Sequence, residues 1–240
     1  MEFDGRDAAR FLGVKGAPDA ALLERLAAAA AEVRAVATPR FAARLLPLRA
    51  EGDRLSFGGA FALESRHLAR NLRGCDRAFL FVATLGAGVD RLVRGREAAG
   101  AMADAALLQA VAGELADSYC EDVVAELARD PAVAGCSLRH RFSPGYGDVP
   151  LSIQPVFLAA VDASRRVGVS LTDAFLMVPT KSVSAFVGVE PPAGGMPGKY
   201  AGPQHELESN GQPGRASPEN HRAAVRSVAG HICPAKENFP

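Results

Sequence analysis

The strongest constraint on the fold is an unbroken helical pattern of 29 residues, "AMADAALLQAVAGELADSYCEDVVAELAR" from Ala101 to Arg129, closed by Asp130-Pro131. Leu107, Leu108, Val111, Leu115, Tyr119 and Val123 recur at helical spacing and mark one core stripe. A helix of that length belongs at the centre of a domain, with the other elements packed along its stripe. Glu114, Asp117 and Glu121 fall at i, i+3 and i+7 along another face. Three carboxylates so placed repel one another unless a positive group approaches; the alternative is a plain solvated face.

Around this helix the chain alternates helical and extended patterns. "RDAARFLG" predicts a short helix. "PDAALLERLAAAAAEVRAVA" predicts a long one, with Pro18 in the first turn, Asp19 near its positive end, and Leu22, Leu23, Leu26, Ala30 and Val33 buried. "RFAARLLPLRAEGDRLSFGG" reads as a hairpin turning at Glu51-Gly52-Asp53, and "ESRHLARNLRG" as a helix capped by Ser65 and stopped at Gly74. "RAFLFVATLGAGVDRLVRG" is a strand, a turn at Gly86 and Gly88, and a helix. Such a turn can present N–H groups to an anion, or can need glycine for steric reasons alone.

Beyond Pro131, "AVAGCSLRHRF" predicts a strand, "LSIQPVFLAAVDASRRVG" one helix, and "SLTDAFLMVPTKSVSAFVGV" two strands joined around Pro179-Thr180. The last strand alternates Val183, Ala185, Val187 and Val189 with Ser182, Ser184, Phe186 and Gly188, so its second face is small enough for a ligand or another backbone to approach closely. Eight of the 16 prolines lie between Pro191 and Pro240, so residues 1–190 read as the domain and 191–240 as a Pro/Gly-rich, disordered tail.

Composition narrows the function. Apolar residues at 48% with 22% charged describe a chain that folds, and 27 Lys plus Arg against 27 Asp plus Glu create no net field for nucleic acid or an anionic membrane, so neither is an expected partner. Only four of the cations are lysine, which makes any single arginine weak evidence. Cys75, Cys120, Cys136 and Cys233 form no CxxC pair and the N-terminus has no signal-peptide core, which predicts a reduced, cytoplasmic protein. The five histidines form no strong zinc spacing, even though His231 and Cys233 are close; a metal is not expected. No GxSxG elbow or Cys/His context marks a nucleophile.

The stretch "RFSPGYGDVP" offers different chemistry. Pro144 and Gly145 make a stiff turn whose backbone can pass close to a ligand. Arg141 can grip a carboxylate through two parallel hydrogen bonds, and Tyr146 offers a ring and a hydroxyl. These parts suit a small zwitterion bearing a flat base, although a proline-glycine turn beside an arginine is commonly scaffold. Asp148 and Pro150 read as anchors of the turn to the helix beginning near Leu151.

Taken together, "FLFVATLG", "RFSPGYGDVPLSIQPVFLAAVD" and "VGVSLTDAFLMVPTKSVSAFVGV" resemble the activation domain of cobalamin-dependent methionine synthase, above all its stand-alone forms, over roughly residues 5 to 190. The resemblance implies an α+β fold: a bent antiparallel sheet with flanking helices, one long central helix and the disordered C-terminal tail. It implies binding of S-adenosylmethionine, with cobalamin carried by a partner, either a cobalamin-binding methionine synthase module or another corrinoid protein. A flavodoxin-like or iron–sulfur donor would supply the electron. By that resemblance Arg141 binds the methionyl carboxylate, Ser143 and Gly145 meet the nucleoside through their backbone, and Tyr146 lines the pocket. The acidic ligand residue is Asp117 or Glu121, and Tyr200 of "GKYAG" is a further candidate. The implied role is an accessory protein in reductive reactivation of cobalamin rather than a complete methyltransferase. Alternatives are an activator of another corrinoid-dependent methyltransferase, or a docking protein without the ligand.

Overall fold

The computed structural model describes residues 1–192 and 205–208. The predicted helices at the start are α1 (Gly5–Phe11) and α2 (Ala20–Val36), each begun by an aspartate, Asp4 or Asp19, whose carboxylate accepts first-turn N–H groups. The hairpin follows as β1 (Arg40–Glu51) and β2 (Arg54–Phe57), joined through Gly52, whose φ of +63° is the left-handed value a two-residue turn needs. Then come β3 (Phe61–Glu64), α3 (Arg66–Asn71) capped by Ser65, β4 (Arg77–Thr84), α4 (Ala87–Ala98) and the central helix α5 (Met102–Leu127).

The second half is more broken than its sequence pattern suggests. In place of a long strand after Pro131 there is a 3-10 turn at Pro131–Val133 and only β5 (Ser137–Leu138), with one further bridge between Phe142 and Phe186. In place of one helix there are α6 (Gln154–Val161) and α7 (Ala163–Val167), separated at Asp162, which takes left-handed backbone at φ +54°. Aspartate tolerates that conformation better than most residues, and Arg44 Nη1 donates to the Ala160 carbonyl at 2.9 Å near the break. The first expected strand of the last pair is instead a small hairpin of β6 (Ser170–Leu171) and β7 (Met177–Val178); β8 (Ser182–Glu190) is the second.

The strands order as β3-β2-β1-β4-β8-β5, all antiparallel, and β1 changes partner along its length. Residues Arg40 to Pro47 pair with β4 and Leu48 to Glu51 with β2, so the sheet bends at Pro47, which has no N–H to continue a flat ladder. β9 (His205–Glu208) also pairs with β1, an ordered segment inside the stretch whose composition predicts a tail; the rest of 193–240 lies outside the described residues.

Burial explains the central place of β4. Ala78, Leu80 and Val82 point to a core shared with α6, α7 and β2, while Phe79, Phe81 and Ala83 point to a second core against the C-terminal half of α5. A strand covered on both faces is apolar at consecutive positions, which is the "FLFVA" run. α5 spans two environments: Leu107, Leu108, Val111 and Leu115 pack among α1, α2 and α4, and Cys120, Val123 and Leu127 pack on the sheet. The small face of β8 is also filled by protein: Ser184 Oγ lies 3.0 Å from Gln154 Oε1, and a Cβ on Gly188 would stand 2.7 Å from both Cys75 Sγ and Leu72 Cδ2.

Candidate functional site

The site begins with a change of register at the sheet edge. Leu138 pairs with Val189 and Phe142 with Phe186, so four residue steps on one chain oppose three on β8. That extra residue is a β-bulge, a device that re-aims a side chain. Here it swings Arg141 toward α5, where Nη2 binds the Asp117 carboxylate and Nε donates to Glu121 Oε1 at 3.1 Å. Both acidic candidates therefore meet the arginine, one from each of two successive helical turns.

Arg141 is 23% exposed at its side chain, and Nη1 has no bonded partner among the described residues. Burial works against the guanidinium charge, but Cys120, Asp117 and Glu121 outweigh it and hold the group above its ordinary pKa. Beneath it, burial pushes the Cys120 thiol up to about 12, so at neutral pH the sulfur is a neutral packing group and not a nucleophile. The third carboxylate of the expected face, Glu114, goes elsewhere: it is buried, and Oε1 accepts the Asp4 N–H at 3.1 Å.

The turn after Arg141 is closed by its own backbone. Tyr146 N–H donates to Ser143 C=O at 3.2 Å, Gly145 N–H to Val149 C=O at 2.9 Å, and Val149 N–H to Tyr146 C=O at 3.1 Å. Gly145 holds φ at +87°, and an added Cβ would press on Leu151 Cδ1 at 3.3 Å, a tight contact with the end of one side chain. The Ser143 carbonyl and Gly145 N–H are thus committed within the turn. What stays presented among the described residues is the Arg141 Nη1 edge, the exposed Gly145 and Tyr146, which is 53% exposed. Tyr200 lies outside the described residues, as do His231 and Cys233.

Asp148 corrects the expected anchoring. Its carboxylate turns away from Leu151 and caps α3, accepting Arg66 N–H at 2.8 Å and bonding the Ser65 hydroxyl. The Ser65 bond, with the Arg66 and His67 N–H groups, lowers the Asp148 pKa. Gly147 seats on His67 so closely that a Cβ would stand 2.5 Å from Nδ1. Sequence reasoning missed this clamp because its two halves are some 80 residues apart. The competing glycine turn is filled: a Cβ on Gly86 would overlap Thr38 Oγ1 and one on Gly88 the Val36 carbonyl, so those glycines serve close packing of α2. Among the described residues no three His, Cys, Asp or Glu side chains gather as a metal site. Nor is any described helix long and apolar enough to cross a membrane.

No family model matches the sequence, and no curated protein matches it. Solved structures do: the crystal structure of the MetH reactivation domain bound to AdoHcy superposes with a TM-score of 0.63, covering 79% of this chain and 74% of that one at 17% identity. The fold is that of the MetH reactivation domain. The α+β architecture implied by the sequence resemblance is therefore the one observed. Within the MetH reactivation fold this chain brings Arg141, Asp117 and Glu121 together and sets Gly145 and Tyr146 beside them.

Proposed function

We propose that this chain binds S-adenosylmethionine against the 141–147 segment and supports reductive remethylation of cobalamin held by a partner. The partner is the cobalamin-binding module of a methionine synthase, with a corrinoid protein of another methyltransferase as the related possibility. One observation carries the reading: a bulge delivers an arginine, whose Nη1 is unpaired among the described residues, to a stiff turn with an exposed glycine and an exposed tyrosine. Arg141 Nη1 suits the carboxylate of the ligand, and Asp117 and Glu121 suit its ammonium, sulfonium or ribose hydroxyls. The exposed Gly145 and the Tyr146 ring suit the flat base. Bound there, the ligand supplies an electrophilic methyl group; the cobalamin that accepts it and the electron that primes it come from other proteins.

Calorimetric titration tests the reading. Wild type binds S-adenosylmethionine, and Arg141→Ala weakens binding at least tenfold, about 1.4 kcal/mol, the scale of a lost charged hydrogen bond. No measurable binding by wild type would sink it. The double engagement of Arg141 by the chain's own carboxylates favours a second reading, a docking protein without the ligand. That reading expects partner binding indifferent to Arg141→Ala and no ligand heat at all.

A further inference from the structure

We infer that Arg66, Arg70 and Arg73 form a docking surface for an acidic patch on a partner protein. Arg66 and Arg70 stand one turn apart on α3 and Arg73 follows in the turn that ends it, all three exposed. Among the described residues none of the three guanidinium groups has an ion pair or hydrogen bond. The neighbouring arginines do have carboxylates: Arg139 Nη2 pairs with Glu190, and Arg141 with Asp117 and Glu121. In a chain whose charges balance, three neighbouring guanidinium groups without a carboxylate among the described residues are complementary to carboxylates supplied from outside.

The face is also held still. Asp148 accepts the Arg66 N–H at 2.8 Å, Asn71 Nδ2 donates to the His140 carbonyl at 3.2 Å, and Arg139 Nη2 donates to the Arg73 carbonyl at 3.0 Å. α3 is thus fastened at both ends to the segment that carries Arg141 and Tyr146, so a partner gripping the arginines is brought to that segment. Arginine forks lose little order on meeting carboxylates, and arginine and tyrosine are the residues that dominate protein interfaces. Nucleic acid fits less well: the chain has a pI near 7.0 and no net field to gather a polyanion.

The inference takes only its probe from the proposed function: the cobalamin-binding module of a methionine synthase that lacks its own activation domain. Binding to the full chain is measured by interferometry at 50 and 200 mM salt. Arg66→Glu/Arg70→Glu/Arg73→Glu lowers affinity at least tenfold and flattens the salt dependence, while its melting temperature and S-adenosylmethionine titration match wild type. Arg91→Glu/Arg94→Glu on α4 controls for general charge and leaves binding within twofold. An unaffected triple variant, an equal loss in the α4 control, no complex with wild type, or tighter binding to a single-stranded oligonucleotide than to the module would each overturn the inference. Ligand titration failing while the complex forms and responds to the triple variant sinks the proposed function alone.

Discussion

The turn at Gly86 and the turn at Gly145 both hold glycine at positive φ, +82° and +87°, but the space above them differs. Over Gly86 the chain has packed its own Thr38, whose carbonyl would stand 3.3 Å from an added Cβ and whose Oγ1 would overlap it. Over Gly145 there is only the Leu151 methyl. The helical layer packs Gly86 and Gly88 against Thr38 and Val36, while among the described residues the 139–148 segment leaves Arg141 Nη1 unpaired and Gly145 and Tyr146 exposed.

The comparison can be broken most sharply at Gly86. Gly86→Ala combines a left-handed alanine with overlap against Thr38, and the expected loss is about 3 kcal/mol in urea-melt stability. A loss under about 1 kcal/mol would mean that the helical layer is not tightly filled there. Glu114 tests the same layer electrostatically. Its carboxyl is pushed up to about 7, chiefly by burial, with Asp4 and Asp7 adding to the rise and the Asp4 N–H and Arg34 opposing it. Because the folded pKa lies above the ordinary 4.5, ionisation disfavours the fold: the penalty is absent below pH 4.5, grows as pH rises and is complete above about 7. Glu114→Gln should therefore gain on the order of 2 kcal/mol at pH 8 and nothing at pH 4, read from melts at both pH values. Equal effects at the two would show that the carboxylate is solvated in the folded chain. At Gly145 the smallest change is expected: Gly145→Ala carries backbone strain of about 1–2 kcal/mol and a 3.3 Å contact that the Leu151 methyl relieves by a small shift. A loss as large as that at Gly86 would erase the distinction between the turns.

Much of the fold was legible because it rests on local rules. Asp19 and Ser65 cap the helices they precede, Gly52 turns the hairpin, and the stripe from Leu107 to Val123 lies inside. Tyr119 alone in that stripe stays half-buried. The site was legible in its parts and not in its assembly. Arg141, Asp117, Glu121 and the Pro144-Gly145 turn carry their chemistry in their side chains and backbone, but nothing local says that Arg141 leaves the strand. The bulge that turns it depends on how Leu138 and Phe142 pair with β8, some 50 residues on. The break at Asp162 was hidden for the same reason, since the periodicity of "QPVFLAAVDASRRV" continues through it.

The sequence by itself determined most of the helices and strands, because capping, periodicity and turn chemistry act over a few residues, while the bent α+β class was implied by its resemblance to the activation domain. Only the tertiary structure decided that Thr38 fills the room over Gly86 while Gly145 meets one Leu151 methyl. It also decided that Asp148 clamps α3, that Glu114 parts company with Asp117 and Glu121, and that Arg66, Arg70 and Arg73 have no ion pair among the described residues. Each of these is a question of which distant group arrives first to fill a space or neutralise a charge, and that is settled by packing across the sheet and helices.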